Sequence, residues 1–134
     1  MVNQSADVAK QVENVVEGTV KASSKELREN LIKAGVNAPD YSNAAHHIIA
    51  GTSQKANEAK AILQKFGIGI NDAANGVFLP TVKDIAESAY HPSLHTNEYY
   101  DVVNDMLKRA QSKDDVLDIL DDIADQLSKG TFMK

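Results

Sequence analysis

The sequence predicts an α+β fold that is mostly helical, with one small pair of strands, and three observations carry that expectation. Apolar residues recur at helical spacing through most of the chain. Two short stretches, "AHHII" and "VFL", read instead as strands, on apolar content and β-branching. At 134 residues, 43% hydrophobic and 25% charged, the chain has the size and composition of one globular domain with room for an extra terminal element.

Val8, Val12, Val15, Val16 and Val20 share one helical face, which predicts an amphipathic helix over 7–22. "SSKE" offers a capping box from Ser23 to Glu26 for a short helix through Leu27 and Leu31, with Gly35 as its stop. "VNAPDYSN" reads as loop, and "AHHII" as the first strand. In "TSQKANEAKAILQKFG", Thr52 or Ser53 caps a helix that buries Ala59, Ile62, Leu63 and Phe66 and ends at Gly67. The Asn75-Gly76 turn then feeds the second strand, Val77 to Leu79. After a polar stretch, a helix starting at Pro92 or Thr96 runs to about Ala110 and buries Tyr99, Val102, Val103, Met106 and Leu107. A last helix, 114–128, buries Val116, Leu120, Ile123 and Leu127 ahead of Gly130.

Composition excludes some functions. The chain has no cysteine, so disulfides and thiolate metal sites are ruled out. No apolar run approaches the length of a membrane span, and the first residues lack the apolar core of a signal peptide. The expectation is a chain that is secreted or delivered by a larger carrier, if it leaves a cell at all. A net charge of −5 argues mildly against nucleic acid, but the acid is uneven. "DDVLDILDDIAD" holds six aspartates and no basic residue, and the remainder is near neutral. Lys55, Lys60 and Lys65 are five apart, so on a helix they fan out by about 140° per step and form no basic stripe.

All four histidines fall in two clusters, His46-His47 and the "HPSLH" pair His91 and His95. H-x3-H is a common chelating pair, and both rings share one face if Pro92 opens a helix. Taken alone, such a pair is more often a surface feature, and Pro92 also fits a turn before a helix capped at Thr96. On a strand, His46 and His47 point to opposite faces, so they cannot both bind one ion without distortion. That divergence suits phosphodiester hydrolysis, which needs a metal at the leaving oxygen and a base on the attacking water opposite it. The plainer reading is a buried pair bonded to backbone carbonyls. Asn75 is either a plain turn residue or an amide that fixes a loop or a catalytic histidine.

Together, "AAHHIIAG", "GIGINDAANGVFLP" and "HPSLHTNEYYDVV" resemble the AHH nuclease family of the HNH/endonuclease VII (ββα-metal) superfamily. Its members are often C-terminal toxin domains of bacterial polymorphic toxins. The likeness covers Leu27 to Tyr100, and more loosely the C-terminal helices. It implies a two-stranded ββα-metal core within a nuclease domain at 27–134. Residues 1–26 are then an N-terminal helical segment, a remnant of a longer parent chain. By the same resemblance His47 is the general base, Asn75 the central asparagine, and His46, His91 and His95 the metal ligands. It implies hydrolysis of DNA rather than RNA with a divalent ion (Mg, Mn, Zn or Ni), action in the target-cell cytoplasm, and a cognate immunity protein. Two other readings compete with it. One is a non-catalytic helical binding module with a structural zinc site, and the other a helical interaction protein whose histidines are incidental.

Overall fold

A two-stranded antiparallel hairpin lies between one helix on one face and three on the other, in a computed structural model that describes residues 21–134. The elements are α1 (Ser24–Lys33), β1 (Asn43–His47), α2 (Asn57–Lys65), β2 (Gly76–Pro80), α3 (Asn97–Leu107) and α4 (Lys113–Lys129). Short 3₁₀ turns precede α2, β2 and α3. The architecture is the expected α+β fold. The helix expected over 7–22 lies outside the described residues except for Lys21 and Ala22, which are not helical.

The Ser23 hydroxyl caps α1 by accepting from the Glu26 amide, as the capping box requires. The reciprocal bond is replaced, because the Ser23 amide donates to Asn71 Oδ1 at 2.8 Å. Gly35 ends the helix at φ +91°, a left-handed conformation that glycine adopts without strain. Leu27 and Leu31 then pack on Ala45 and Phe78, forming the smaller core.

The strand pairing sets which side each residue faces. Ala45 lies opposite Phe78, His46 opposite Val77 and His47 opposite Gly76. Alternation along the strands turns Ala45 and Phe78 toward α1, and Val77 and Leu79 toward the larger core. Gly76 has no side chain because Leu27 fills that space, and an added Cβ would sit 2.6 Å from Leu27 Cδ1.

The first strand is displaced from its expected position. It begins at Asn43 and ends at His47, while Ile48 and Ile49 leave the ladder fully buried. Asn75 takes over there. The Ile48 amide donates to the Asn75 carbonyl at 2.8 Å, and the Ile49 amide donates to Asn75 Oδ1 at 2.8 Å. A side-chain amide thus stands in for the next rung of backbone.

One helix start also differs from expectation. Ser53 caps a 3₁₀ turn, Gln54–Ala56, and α2 proper begins only at Asn57. Its open Ala59 amide donates to Asn104 Oδ1 of α3 at 3.1 Å, while Asn104 Nδ2 donates to the Lys55 carbonyl at 2.8 Å. A buried side chain from another helix does the capping, which no local pattern announces. Of the two starts the sequence allows for α3, the structure has Thr96: Pro92 lies in a 3₁₀ turn, His91–Leu94, and Thr96 caps α3, which stops at Leu107 rather than near Ala110. The last helix matches its expected core, with Val116, Leu120, Ile123 and Leu127 all at 0% exposure.

Candidate active site

The four histidines line a single cavity of about 250 Å³, together with Ala22, Ser24, Thr52 and Tyr99. Among the described residues, no carboxylate, lysine or arginine borders it. The ionisable groups they supply are the imidazoles and the phenols of Tyr99 and Tyr100.

His46 sits on the large-core side of β1 and is 4% exposed. Its Nε2 lies 2.9 Å from the Tyr99 hydroxyl, which donates to the Ile48 carbonyl at 2.7 Å. That carbonyl can only accept, so the one phenol proton is committed to it. The His46–Tyr99 bond must then run from His46 Nε2–H to the hydroxyl oxygen. This assignment leaves His46 Nδ1 as the lone-pair nitrogen. Burial first, and then the neighbouring His91, His95 and His47 rings, hold His46 well below the ordinary imidazole value. The ring is neutral at pH 7.

His91 and His95 come from the 3₁₀ turn and its C-terminal flank, not from one face of an α-helix. The rings meet all the same: residues four apart in a 3₁₀ turn are offset by about 120°, and His95 sits just past the turn with φ −90° and ψ 62°. Their centroids are 5.0 Å apart, and those of His46 and His91 are 5.1 Å apart. His46 to His95 is wider, at 6.4 Å. His91 is half-buried and its pKa is lowered by desolvation, His95 and His47, whereas His95 is exposed.

This donor set fits a divalent ion in chemistry. Neutral imidazoles are good ligands for Zn or Ni. A ligand histidine commonly donates its other N–H to a fixed acceptor, as His46 does to Tyr99. His91 Nδ1 is buried and has no hydrogen-bond partner among the described residues. Rings sharing a tetrahedral ion through bonds of about 2.1 Å hold their centroids roughly 5 Å apart, close to two of the three separations. Among the described residues, no three ligand-type side chains stand close enough to hold an ion as placed. For the three rings to share an ion, the exposed His95 ring would have to turn inward.

His47 faces the other side of the hairpin. Its Nε2 lies 2.8 Å from Asn71 Oδ1. Burial lowers its pKa, and the Asn71 bond partly restores it, so this ring too is neutral at pH 7. Asn75, at 0% exposure, touches no histidine ring. Its Nδ2 donates to the Ile49 and Ile70 carbonyls at 3.2 and 2.9 Å. It fixes the chain leaving β1, and through the Ile48 carbonyl it steadies Tyr99 and His46. Of the two roles the sequence allowed Asn75, its contacts are those of the loop anchor.

Asn71 and Tyr99 are the partners that sequence reasoning missed. Tyr99 was expected only as a core residue. A buried phenol needs a partner for its hydroxyl, and that requirement was the available signal. Asn71 lies four residues before the asparagine that was singled out, in the same "INDAANG" stretch, and nothing local separates the two.

The end of β1 and the turn before α3 thus bring all four histidines to one cavity. The model of the AHH family, described as a nuclease family of the HNH/ENDO VII superfamily with conserved AHH, matches residues 27–127. The chain belongs to that family of nucleases. No curated protein and no solved structure matches it.

Proposed function

We propose that this protein is a metal-dependent endonuclease that cleaves DNA. The divergence of His46 and His47 carries the reading. His46 turns to Tyr99, His91 and His95, while His47 turns to Asn71, yet both line one cavity. In-line displacement needs two groups on opposite sides of the phosphate, and the alternation of one strand supplies them.

His47, neutral and fixed by Asn71, takes a proton from the attacking water. His46, His91 and His95 would hold the divalent ion, Mg, Mn, Zn or Ni. When bound, that ion supplies Lewis-acid stabilisation of the charge that builds on the phosphoryl and leaving oxygens. Asn75 keeps the strand end rigid, so the two imidazoles stay a fixed distance apart during the reaction.

In its biological setting we read the domain as a toxin. A larger carrier delivers it, it acts on DNA in the target-cell cytoplasm, and an immunity protein restrains it in the producing cell. The family membership and its frequent polymorphic-toxin context support this reading. A place for the inhibitor is offered by a groove of about 950 Å³ away from the histidines. Asp118, Asp121, Asp122 and Asp125 line one wall, and Leu31, Val36, Tyr41 and Phe78 the other. A basic surface with apolar anchors suits that lining.

Plasmid nicking by the purified chain, with and without chelator, tests the enzymatic reading. Chelator-sensitive nicking that disappears in His47→Ala supports it. Bound metal without nicking would favour a structural-zinc binding module instead. A matched RNA substrate decides between the two nucleic acids.

A further inference from the structure

We infer that Asn71 is a positioning residue that locks His47 in its Nε2–H tautomer, so that Nδ1 is the nitrogen that accepts the proton from water. The inference rests on the nuclease reading for its catalytic part, and on hydrogen-bond geometry alone for its tautomeric part.

The orientation of the Asn71 amide is over-determined by two backbone groups. Its Nδ2 donates to the Lys21 carbonyl at 2.9 Å, and its Oδ1 accepts from the Ser23 amide at 2.8 Å. A carbonyl only accepts and a backbone amide only donates, so flipping the side chain would set like against like at both contacts. Oδ1 is therefore the atom that faces His47 Nε2 at 2.8 Å. An amide oxygen has no proton to give, so the imidazole must donate. The Nε2–H is held in this bond and the lone pair lies on Nδ1. Asn71 is 5% exposed, and water does not readily replace it.

The same geometry ties the base to the start of the domain. The segment 21–23 sets the amide, and its neighbours Ala22 and Ser24 line the histidine cavity. Gly51 lies directly against Ala22, with no room between them for a Cβ. Docking of 21–23 thus forms one wall of the cavity and orients the base by the same contacts. Ser23, just ahead of α1, serves both as helix cap and as part of the frame around His47.

The test is proton–nitrogen correlation spectroscopy on the full chain with ¹⁵N-labelled histidine, at a pH where the rings are neutral. The wild-type His47 should show a single Nε2–H tautomer. Asn71→Asp loses the donor to the Lys21 carbonyl but keeps an oxygen acceptor for both Ser23 and His47, and should keep that pattern. Asn71→Leu should bring the two ring-nitrogen shifts toward each other as the tautomers average. Its kcat should fall about 10–100-fold, the usual effect of losing an orienting partner, with KM nearly unchanged and with Asn71→Asp retaining more activity than Asn71→Leu. An Nδ1–H tautomer in the wild type overturns the proposal, and this reading needs no variant to fold. An unchanged tautomer and kcat in a folded Asn71→Leu protein overturns it as well. If the wild type shows the Nε2–H tautomer but never nicks nucleic acid, the tautomer assignment stands and the nuclease reading fails.

Discussion

Replacing Tyr99 by Phe removes one oxygen and leaves the ring. The hydroxyl accepts from His46 Nε2–H and donates to the Ile48 carbonyl. Both partners are buried, with His46 4% and Ile48 0% exposed, so water is a poor substitute. An orphaned buried donor or acceptor costs about 1–3 kcal/mol. Two of them give a loss of roughly 2–6 kcal/mol, and no cavity is added because the ring volume is kept. Against a usual total of about 5–15 kcal/mol the variant stays folded but is clearly weakened. The functional consequence is separate. Without the hydroxyl, His46 loses the bond that keeps Nδ1 turned toward His91 and His95. Affinity for a divalent ion should fall about 10–100-fold. Urea unfolding in chelator gives the first quantity, and calorimetry with Zn or Mn gives the second. A variant within about 0.5 kcal/mol of wild type, binding metal as tightly, would refute both the tautomer assignment for His46 and its place as a ligand.

The paired histidines should differ in kind when substituted. His47→Ala should lower the cleavage rate roughly 10²–10⁴-fold with metal affinity nearly intact, whereas His46→Ala should weaken metal binding and regain part of its rate at high metal; reversed behaviour on calorimetry and nicking gels swaps the roles. DNA affinity should fall only shallowly with salt, with a logarithmic slope of about 2 to 5 against about 10 for strongly basic binders, and a filter-binding slope near 10 would reveal a basic surface that the spread of Lys55, Lys60 and Lys65 does not suggest. Exchanging Asp118, Asp121, Asp122 and Asp125 for asparagine should slow association with the immunity protein at low salt; an unchanged on-rate removes α4 from that interface. Burial raises the Asp72 pKa from its ordinary 3.8 against the opposing Gly69 amide and Lys113, so the folded state binds this proton more tightly and loses stability as pH rises from that value through the raised one. Asp72→Asn keeps an acceptor for the Gly69 amide and should flatten that part of the stability–pH curve measured by urea unfolding.

Periodicity made the helical cores legible. Leu27 and Leu31, Ala59 and Leu63, and the four apolar residues of α4 are buried as their spacing requires. The paired histidines were legible as diverging because strand alternation is geometric and needs no knowledge of the neighbours. Element edges were less legible where the partner is distant in sequence. The helix expected straight after Ser53 begins only at Asn57, and Asn104 of α3 binds its open Ala59 amide. The first strand looked as though it included Ile48 and Ile49, whose β-branching suits a strand. They instead leave the ladder because Asn75, 26 residues from Ile49, captures the Ile49 amide and carbonyl.

The two asparagines of "INDAANG" show where local reading ends and what the fold adds. By residue type and neighbourhood they are interchangeable, and each could have been assigned the catalytic histidine. The 3₁₀ turn between them, Ala73–Asn75, separates their directions. Asn75 is sent inward to the chain after β1, where it anchors the Ile48–Ile49 backbone and, through Tyr99, the His46 side. Asn71 is left at the rim, where it meets the backbone of 21–23 and the His47 side. Each histidine of the strand thus has its own asparagine, one acting through a phenol and the other directly. The division follows from strand alternation. Two rings on opposite faces cannot share one orienting group, so the loop that supports them must present two.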